Sequence, residues 1–328
     1  MKRILVIQTA SIGDVILATP VLEKLRASYP DAAIDLLIKK GTESLFESHP
    51  FLRTVYVWDK KDGKYKNWQK ILKQVRSNEY DLVVNIQRFF SMSLFTVLSK
   101  AKHTVGFSKS PLSFLYSKRL PHAIGKKGEA YQHEVERNLS LIEHLTDNSF
   151  VRPKLYPSDK QFEEVLQYKT EKYICIAPAS LWFTKQFPKE KWVEFIDLLD
   201  SSLRIYFLGG MPDSALCDKI IVNSHNKNSV NLSGKLTLLA SAALMRDAEM
   251  NYVNDSSPMH LASSMNASTT AIFCSTIPEF GFGPLSENNK IVQENIPLAC
   301  RPCGLHGHKE CPEKHFSCAM SIDCKRIL

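Results

Sequence analysis

Apolar residues along this chain come in short extended runs, each followed by a polar turn and then by apolar positions three and four apart. In the first half the runs are residues 4–8, 33–38, 54–58, 80–86 and 103–107. Between them, helical spacing falls at Val15, Leu17, Ala18, Val21, Leu22 and Leu25, then over 45–49, 68–76 and 91–99. An unbroken apolar run suits a strand buried on both faces, and a 3.6-residue period suits a helix that covers one. Their alternation predicts a parallel sheet with helices on both sides.

Residues 118–130 read as a glycine- and lysine-bearing loop, and 132–145 as a helix with Val135, Leu139, Ile142 and Leu145 along it. Residues 151–158 hold Pro153 and Pro157 and show no periodicity, which marks a linker. The alternation then restarts, with extended runs at 173–177, 204–208, 230–232, 248–253 and 269–273 and helices at 189–200, 214–223 and 236–246. The expected architecture is α/β, with two domains, 1–155 and 156–328. Ligands are expected at the carboxyl ends of strands, in a cleft between the domains. There is no internal repeat.

Composition narrows the class. With 44% hydrophobic and 23% charged residues, 328 positions suffice for two globular domains. No run reaches the roughly 20 apolar residues of a membrane span. The first seven residues are too short an apolar start for a signal peptide, so a cytoplasmic protein is expected. The net charge of +8 is uneven. Residues 59–76 carry seven Lys/Arg against two Asp, and 100–127 carry seven with no acid. Two basic segments suggest an anionic partner, a phosphorylated lipid, a nucleic acid or a membrane surface; the plainer reading is a solvated lysine face.

Residues 252–262 carry the first candidate chemistry. An apolar run ends in Asn254-Asp255; Ser256-Ser257-Pro258 follow, then Met259, Leu261 and Ala262 at helical spacing. This reads as strand, turn and helix start, with Ser256 or Ser257 as cap and Pro258 at the first helical position. Free amides at such a start favour an anion, most naturally phosphate. His260 could donate to that phosphate or be a core histidine, and Asp255 orders the turn or binds a donor hydroxyl. In Ser11-Ile12-Gly13-Asp14, Asp14 is a general base or a charge that complements a helix dipole. The loop after residue 177 carries Ser180, Thr184 and Lys185; Lys185 suits a diphosphate or is an exposed loop lysine.

Five of the eight cysteines, Cys300, Cys303, Cys311, Cys318 and Cys324, crowd the last stretch. Cys300-x-x-Cys303 has metal-ligand spacing, and Cys311 and Cys318 could complete a tetrahedral zinc site. Otherwise they are packed thiols, or a disulfide that is redox-labile. No P-loop, no G-x-G-x-x-G and no Asp-x-Asp motif is present, so a nucleotide-sugar would depend on lysine and backbone amides rather than on a divalent ion.

In order along the chain, these stretches resemble the heptosyltransferases of glycosyltransferase family 9. The resemblance runs through residues 4–20 with Ser11-Ile12-Gly13-Asp14, 80–87, Val105-Gly106-Phe107 and 133–137. It continues through 178–192 with Ser180 and Lys185, Leu232-Ser233-Gly234-Lys235 and Asp255–His260. Gly283-Pro284-Leu285 and the tail with Cys311-Pro312 and His315 complete it. It implies a GT-B fold: two Rossmann-like domains facing each other across a cleft, acceptor side first and donor side second. It implies inverting, metal-independent transfer of heptose from ADP-heptose to a phosphorylated lipid A/Kdo or inner-core lipopolysaccharide acceptor, with no cofactor.

The resemblance makes Asp14 the catalytic base. It gives donor binding to Ser180, Thr184, Lys185, Asp255, Ser256, Ser257, Met259 and His260. Acceptor binding goes to Gly13, Lys60, Lys61, Lys64, Arg119, Lys126 and Lys127. A monomer at the inner face of the inner membrane, with no nucleic-acid partner, is expected. Ser257 stands where the family commonly has glycine, and a positive φ there would be costly. Gln186-Phe187 replaces the usual basic–Trp pair. The alternatives are a GT-B relative that moves another nucleotide sugar onto a surface polysaccharide, a nucleotide-binding oxidoreductase, which the missing glycine fingerprint disfavours, and a nucleic-acid-binding protein.

Overall fold

The computed structural model describes residues 1–328. The chain divides into two compact units, residues 1–123 with 134–156, and residues 124–133 with 157–328. The expected linker at 151–158 has no regular structure. A single boundary at residue 155 misses one excursion, because residues 124–133 pack with the second unit. Gly125 lies so close to the Glu279 carbonyl that a Cβ would stand 2.1 Å from its oxygen, and His133 Nε2 is 3.0 Å from the Gly283 carbonyl.

The first unit contains β1 (Arg3–Ile7), α1 (Ile12–Ile16), α2 (Thr19–Ser28), β2 (Ala33–Lys39), β3 (Leu52–Trp58) and α3 (Lys64–Ser77). It continues with β4 (Leu82–Asn85), α4 (Phe90–Leu98), β5 (His103–Phe107), β6 (Lys118–Leu120) and α5 (Glu134–Ser140). The strands form one parallel sheet in the order β3-β2-β1-β4-β5-β6. Ile4 to Ile7 are fully buried, as a central strand covered on both faces requires. Leu5, Ile7, Val75, Tyr80, Val83 and Phe95 form the core on one side.

The second unit contains α6 (Asp159–Leu166), β7 (Tyr173–Ala177), α7 (Lys189–Ile196), β8 (Arg204–Phe207), α8 (Ser214–Asn223) and β9 (Ser229–Asn231). Then come α9 (Leu238–Arg246), β10 (Asn251–Asn254), α10 (Ser257–Ser264), β11 (Thr269–Phe273), β12 (Asn289–Gln293) and α11 (Ser317–Met320). Its parallel sheet runs β12-β11-β10-β7-β8-β9. Phe187, Trp192, Phe195, Ile272, Cys324 and Ile327 share one core, so the cysteine tail closes the hydrophobic interior.

Several elements differ from the sequence reading. The loop expected at 118–130 begins with strand β6, the helix expected over 132–145 is only Glu134–Ser140, and α6 and β12 stand where the apolar pattern predicts no element. β6 and β12 are edge strands with charged or polar positions, and edges need no apolar run. In both sheets the chain builds outward on one side of the first strand, then returns to build on the other. The reversal lies between β1 and β4 and between β7 and β10. At such a point the loops leaving the carboxyl ends diverge and leave room for a ligand.

Candidate functional site

In the second unit the reversal brings together residues 178–187, after β7, and 255–257, after β10. Asn254 ties the two: its Oδ1 accepts from the Phe187 amide at 3.0 Å and its Nδ2 donates to the Pro178 carbonyl at 2.7 Å. Across this tie, Lys185 Nζ lies 2.7 Å from Asp255 Oδ2, which also accepts from Thr276 Oγ1 at 2.6 Å. Asp255 is buried and Lys185 is mostly so. Asp255 therefore ties the end of β10 to Lys185 and Thr276.

Ser256 occupies the N-cap position of α10 with extended backbone, but its hydroxyl makes no capping bond; it turns toward the Ala179 and Asn254 carbonyls, 3.5 Å from each. The helix start is thus uncapped by side chains. Ser257 begins the helix and does not have a positive φ, so a serine there costs no backbone strain. Pro258 follows it, one place later than expected. Met259 is fully buried and its amide bonds the Ser256 carbonyl, so its side chain packs rather than binds.

His260 is buried and its Nδ1 has no partner. Burial pushes its pKa down to about 3, against the nearby Asp255 carboxylate, with His133 and Lys185 adding to the depression. It is a neutral, buried imidazole close enough to Lys185 and to His133, from the 124–133 excursion, to feel their charge.

Thr184 is not available to a ligand. It is buried, and its hydroxyl accepts from the His308 amide at 2.8 Å and lies 3.0 Å from Ser275 Oγ. Ser180 is half-buried; its carbonyl accepts from Gln186 Nε2 at 2.6 Å, and its hydroxyl is left for a ligand. The tail thus supports the donor loop from behind. A Cβ on Gly307 would stand 2.9 Å from Thr184 Oγ1 and 3.1 Å from Lys185 Cγ, and its φ is +76°.

No group of three or more His, Cys, Asp or Glu side chains is arranged to hold a metal ion, so the zinc set expected at Cys300, Cys303, Cys311 and Cys318 does not form. Cys318 and Cys324 turn into the protein interior, and Cys303 donates to the Cys300 carbonyl at 3.2 Å. Burial pushes the Cys318 thiol up to about 12 and raises Cys303 as well. Cys318 is a packed, protonated thiol.

In the first unit the reversal brings together residues 8–14, after β1, and 86–90, after β4. The side chain of Gln8 accepts from that of Gln87, joining the two loops. Asp14 lies in the first turn of α1. Its Oδ2 accepts from the Ser11 amide at 3.0 Å and from the Ser11 hydroxyl, and Ser11 caps in return. Asp14 is half-buried and Gly13 is buried beneath it. Lys60 reaches the same turn: Nζ donates to the Thr9 carbonyl at 2.6 Å and stands 4.9 Å from the Trp58 ring centroid. Burial lowers the pKa of this ammonium, with Lys39 and Lys64 acting in the same direction.

The other basic candidates are more dispersed. Lys61 and Lys64 are exposed on the loop after β3 and the start of α3, and Arg119 is exposed on the edge strand β6. Lys126 and Lys127 belong to the second unit, where Lys127 Nζ approaches the Arg301 carbonyl at 3.4 Å.

Sequence reasoning missed Arg88. Its Nη1 lies 2.9 Å from His122 Nδ1; His122 Nε2 lies 3.1 Å from Glu134 Oε2, which accepts from Arg137 Nε at 2.8 Å. Arg88 donates to Nδ1, so Nε2 carries the proton to Glu134. Despite the desolvation that opposes it, Glu134 is held below its usual pKa by His122 and Arg137. Arg88 has no carboxylate partner and is held rigidly beside the Gln8–Gln87 junction. No spacing in the sequence links residues 88, 122 and 134.

A lysine paired with the residue before an uncapped helix start suits an anion in the second unit, and a half-buried carboxylate suits proton transfer in the first. Two Rossmann-like units built this way have the architecture of the GT-B class. Residues 68–316 match glycosyltransferase family 9 (heptosyltransferase). The chain belongs to that family. It is 29% identical over 295 residues to lipopolysaccharide heptosyltransferase 3 of Escherichia coli K12, covering 84% of this chain and 83% of that one. It is 24% identical over 326 residues to lipooligosaccharide heptosyltransferase 2 of Campylobacter jejuni, covering 97% and 93%. In fold it is similar to E. coli ADP-heptose lps heptosyltransferase II, with a TM-score of 0.79 at 19% identity, covering 100% of this chain and 96% of that one.

Proposed function

We propose that this enzyme transfers a heptose, with inversion, from ADP-heptose to a phosphorylated lipid A/Kdo or inner-core lipopolysaccharide acceptor. The observation that carries this reading is the Lys185–Asp255 pair at the uncapped start of α10. Asp14 takes the proton of an acceptor hydroxyl. The freed oxygen attacks the anomeric carbon, and the bond from that carbon to the diphosphate oxygen breaks as ADP leaves with the electron pair. Lys185 and the amides of Ser256 and Ser257 receive the charge that develops on the diphosphate, the part a divalent ion plays elsewhere. His260 supports the clamp as a neutral ring, and Ser180 offers a hydroxyl to the donor.

Lys60, Lys61, Lys64 and Arg119, joined by Lys126 and Lys127 and extended by Arg88, would hold acceptor phosphates. No helix of the structure is long and apolar enough to cross a membrane. A monomer that works in the cytoplasm and contacts the inner membrane peripherally is the proposed setting.

The test is a donor panel: thermal shift with ADP, UDP and GDP sugars, then transfer to a purified core acceptor. Stabilisation by ADP-heptose with transfer supports the reading. A preference for a UDP sugar overturns the heptose assignment.

A further inference from the structure

The carboxyl edge of the first unit carries large apolar side chains that the reaction does not use. Tyr65, Phe89, Phe90, Phe114 and Leu115 are each more than half exposed. They come from three separate turns: the start of α3, the start of α4, and the short helical turn between β5 and β6.

The turns are held together beneath the surface. Trp68 Nε1 donates to the Ser91 carbonyl at 3.3 Å and its ring meets Phe95 edge-on, which joins the first turns of α3 and α4. Ser93 Oγ accepts from the Leu112 amide at 2.9 Å and from Tyr116 OH at 3.1 Å, which fixes the 112–116 turn against α4. The rings therefore project from rigid supports.

Cations surround them. Lys64, Lys66, Lys109 and Arg119 are exposed, and Arg88 directly precedes Phe89. The nearby acids are few: Asp62 is exposed, and Asp59 is paired with Lys40 at 2.7 Å.

We propose that this edge is a docking face for an anionic phospholipid bilayer. Phe89, Phe90, Phe114 and Leu115 enter the headgroup layer, Tyr65 lies at its boundary, and the cations meet the lipid phosphates. Apolar side chains ringed by positive charge match the two attractions such a surface offers. A second copy of the chain is a poor occupant, since a two-fold contact would set this basic rim against itself. The proposal deepens the lipid-acceptor reading and rests on it only for purpose; the face itself is measured with neither donor nor acceptor.

The experiment is co-sedimentation of the full chain with sucrose-loaded vesicles of phosphatidylcholine, with or without phosphatidylglycerol. Binding is expected only with phosphatidylglycerol, and it should weaken with salt. The double substitution Phe89→Ser with Phe114→Ser should lower binding about tenfold, and Lys109→Ala should lower it less and flatten the salt dependence. ADP-induced thermal shift, unchanged in the variants, shows that they are folded. Failure of ADP to stabilise the parent chain would count against the donor reading and leave the vesicle result standing. The proposal is overturned if the parent ignores phosphatidylglycerol vesicles or the double variant binds as the parent does. It is also overturned if sedimentation velocity finds a parent dimer that the double variant dissociates.

Discussion

Lys185 Nζ stands 2.7 Å from Asp255 Oδ2, so the cation proposed for the donor diphosphate is already held by a buried carboxylate. The pair keeps the lysine in place before the donor arrives, and the carboxylate keeps part of its charge occupied. Lys185→Ala should weaken ADP binding by about ten- to a hundredfold and lower turnover. It should also destabilise the fold by about 3 kcal/mol, because Asp255 is left buried and uncompensated. Adding Asp255→Asn should restore stability and leave binding weak. Calorimetry with ADP and chemical denaturation separate the two effects; unchanged ADP affinity in Lys185→Ala would remove the clamp assignment.

Asp14 has two jobs in this geometry, as a helix-capping partner of Ser11 and as the proposed base. Asp14→Ala should reduce transfer by about a hundredfold or more with ADP binding intact, at a stability cost of about 1 kcal/mol. Ser11→Ala should share the stability loss while retaining most activity. Equal activity losses in the two variants would mean that the carboxylate acts only through the turn.

His49 and His260 predict an acid-sensitive fold. His49 packs edge-on against Phe51 and Tyr156 with neither ring nitrogen bonded, and burial pushes its pKa down to about 4; His260 lies at about 3. Their ordinary value is 6.5. Between that value and the depressed ones the unfolded chain binds more protons, so stability is complete above the unfolded pKa and falls as pH drops below it. Melting temperature should decline from about pH 7 to about pH 5, and His49→Phe should flatten the decline. A profile identical to the parent's would show that His49 titrates normally in the fold.

Arg88→Ala should raise the acceptor KM about tenfold and leave ADP binding alone. His122→Phe should do the same more weakly, since the guanidinium loses its holder but keeps its charge. A change in donor affinity would place Arg88 elsewhere in the reaction.

Gly307→Ala should disturb the donor loop from behind. The left-handed backbone and the close Thr184 and Lys185 atoms together should cost about 1–3 kcal/mol and weaken ADP binding. Normal ADP affinity in a folded variant would mean that the tail does not set Lys185.

What was legible in the sequence follows burial. β1, β4, β7 and β11 are central, covered on both faces, and written as apolar runs; β6 and β12 are edges, where Lys118-Arg119 and Asn289-Lys290 carry no such signal. The Asp255–His260 turn was readable because a strand end, a serine, a proline and a helical period are all local. The role of Thr184 was not, because its partner lies in the tail. The zinc expectation rested on spacing along the chain, which does not set how closely the thiols converge; they stay near one another without forming a metal-binding group.

The bond between Thr184 and His308 joins positions 124 residues apart. A contact that distant closes late, after the intervening chain has been made and folded. During synthesis the donor loop therefore exists for some time without its support. A nascent chain that has emerged only as far as α10 would hold Lys185 without His308 behind its loop, and Asp255 without Thr276. Because Ala319, Ile322, Cys324 and Ile327 also complete the core of the second unit, its hydrophobic interior and the support of the Lys185 loop are both finished only by the last residues made.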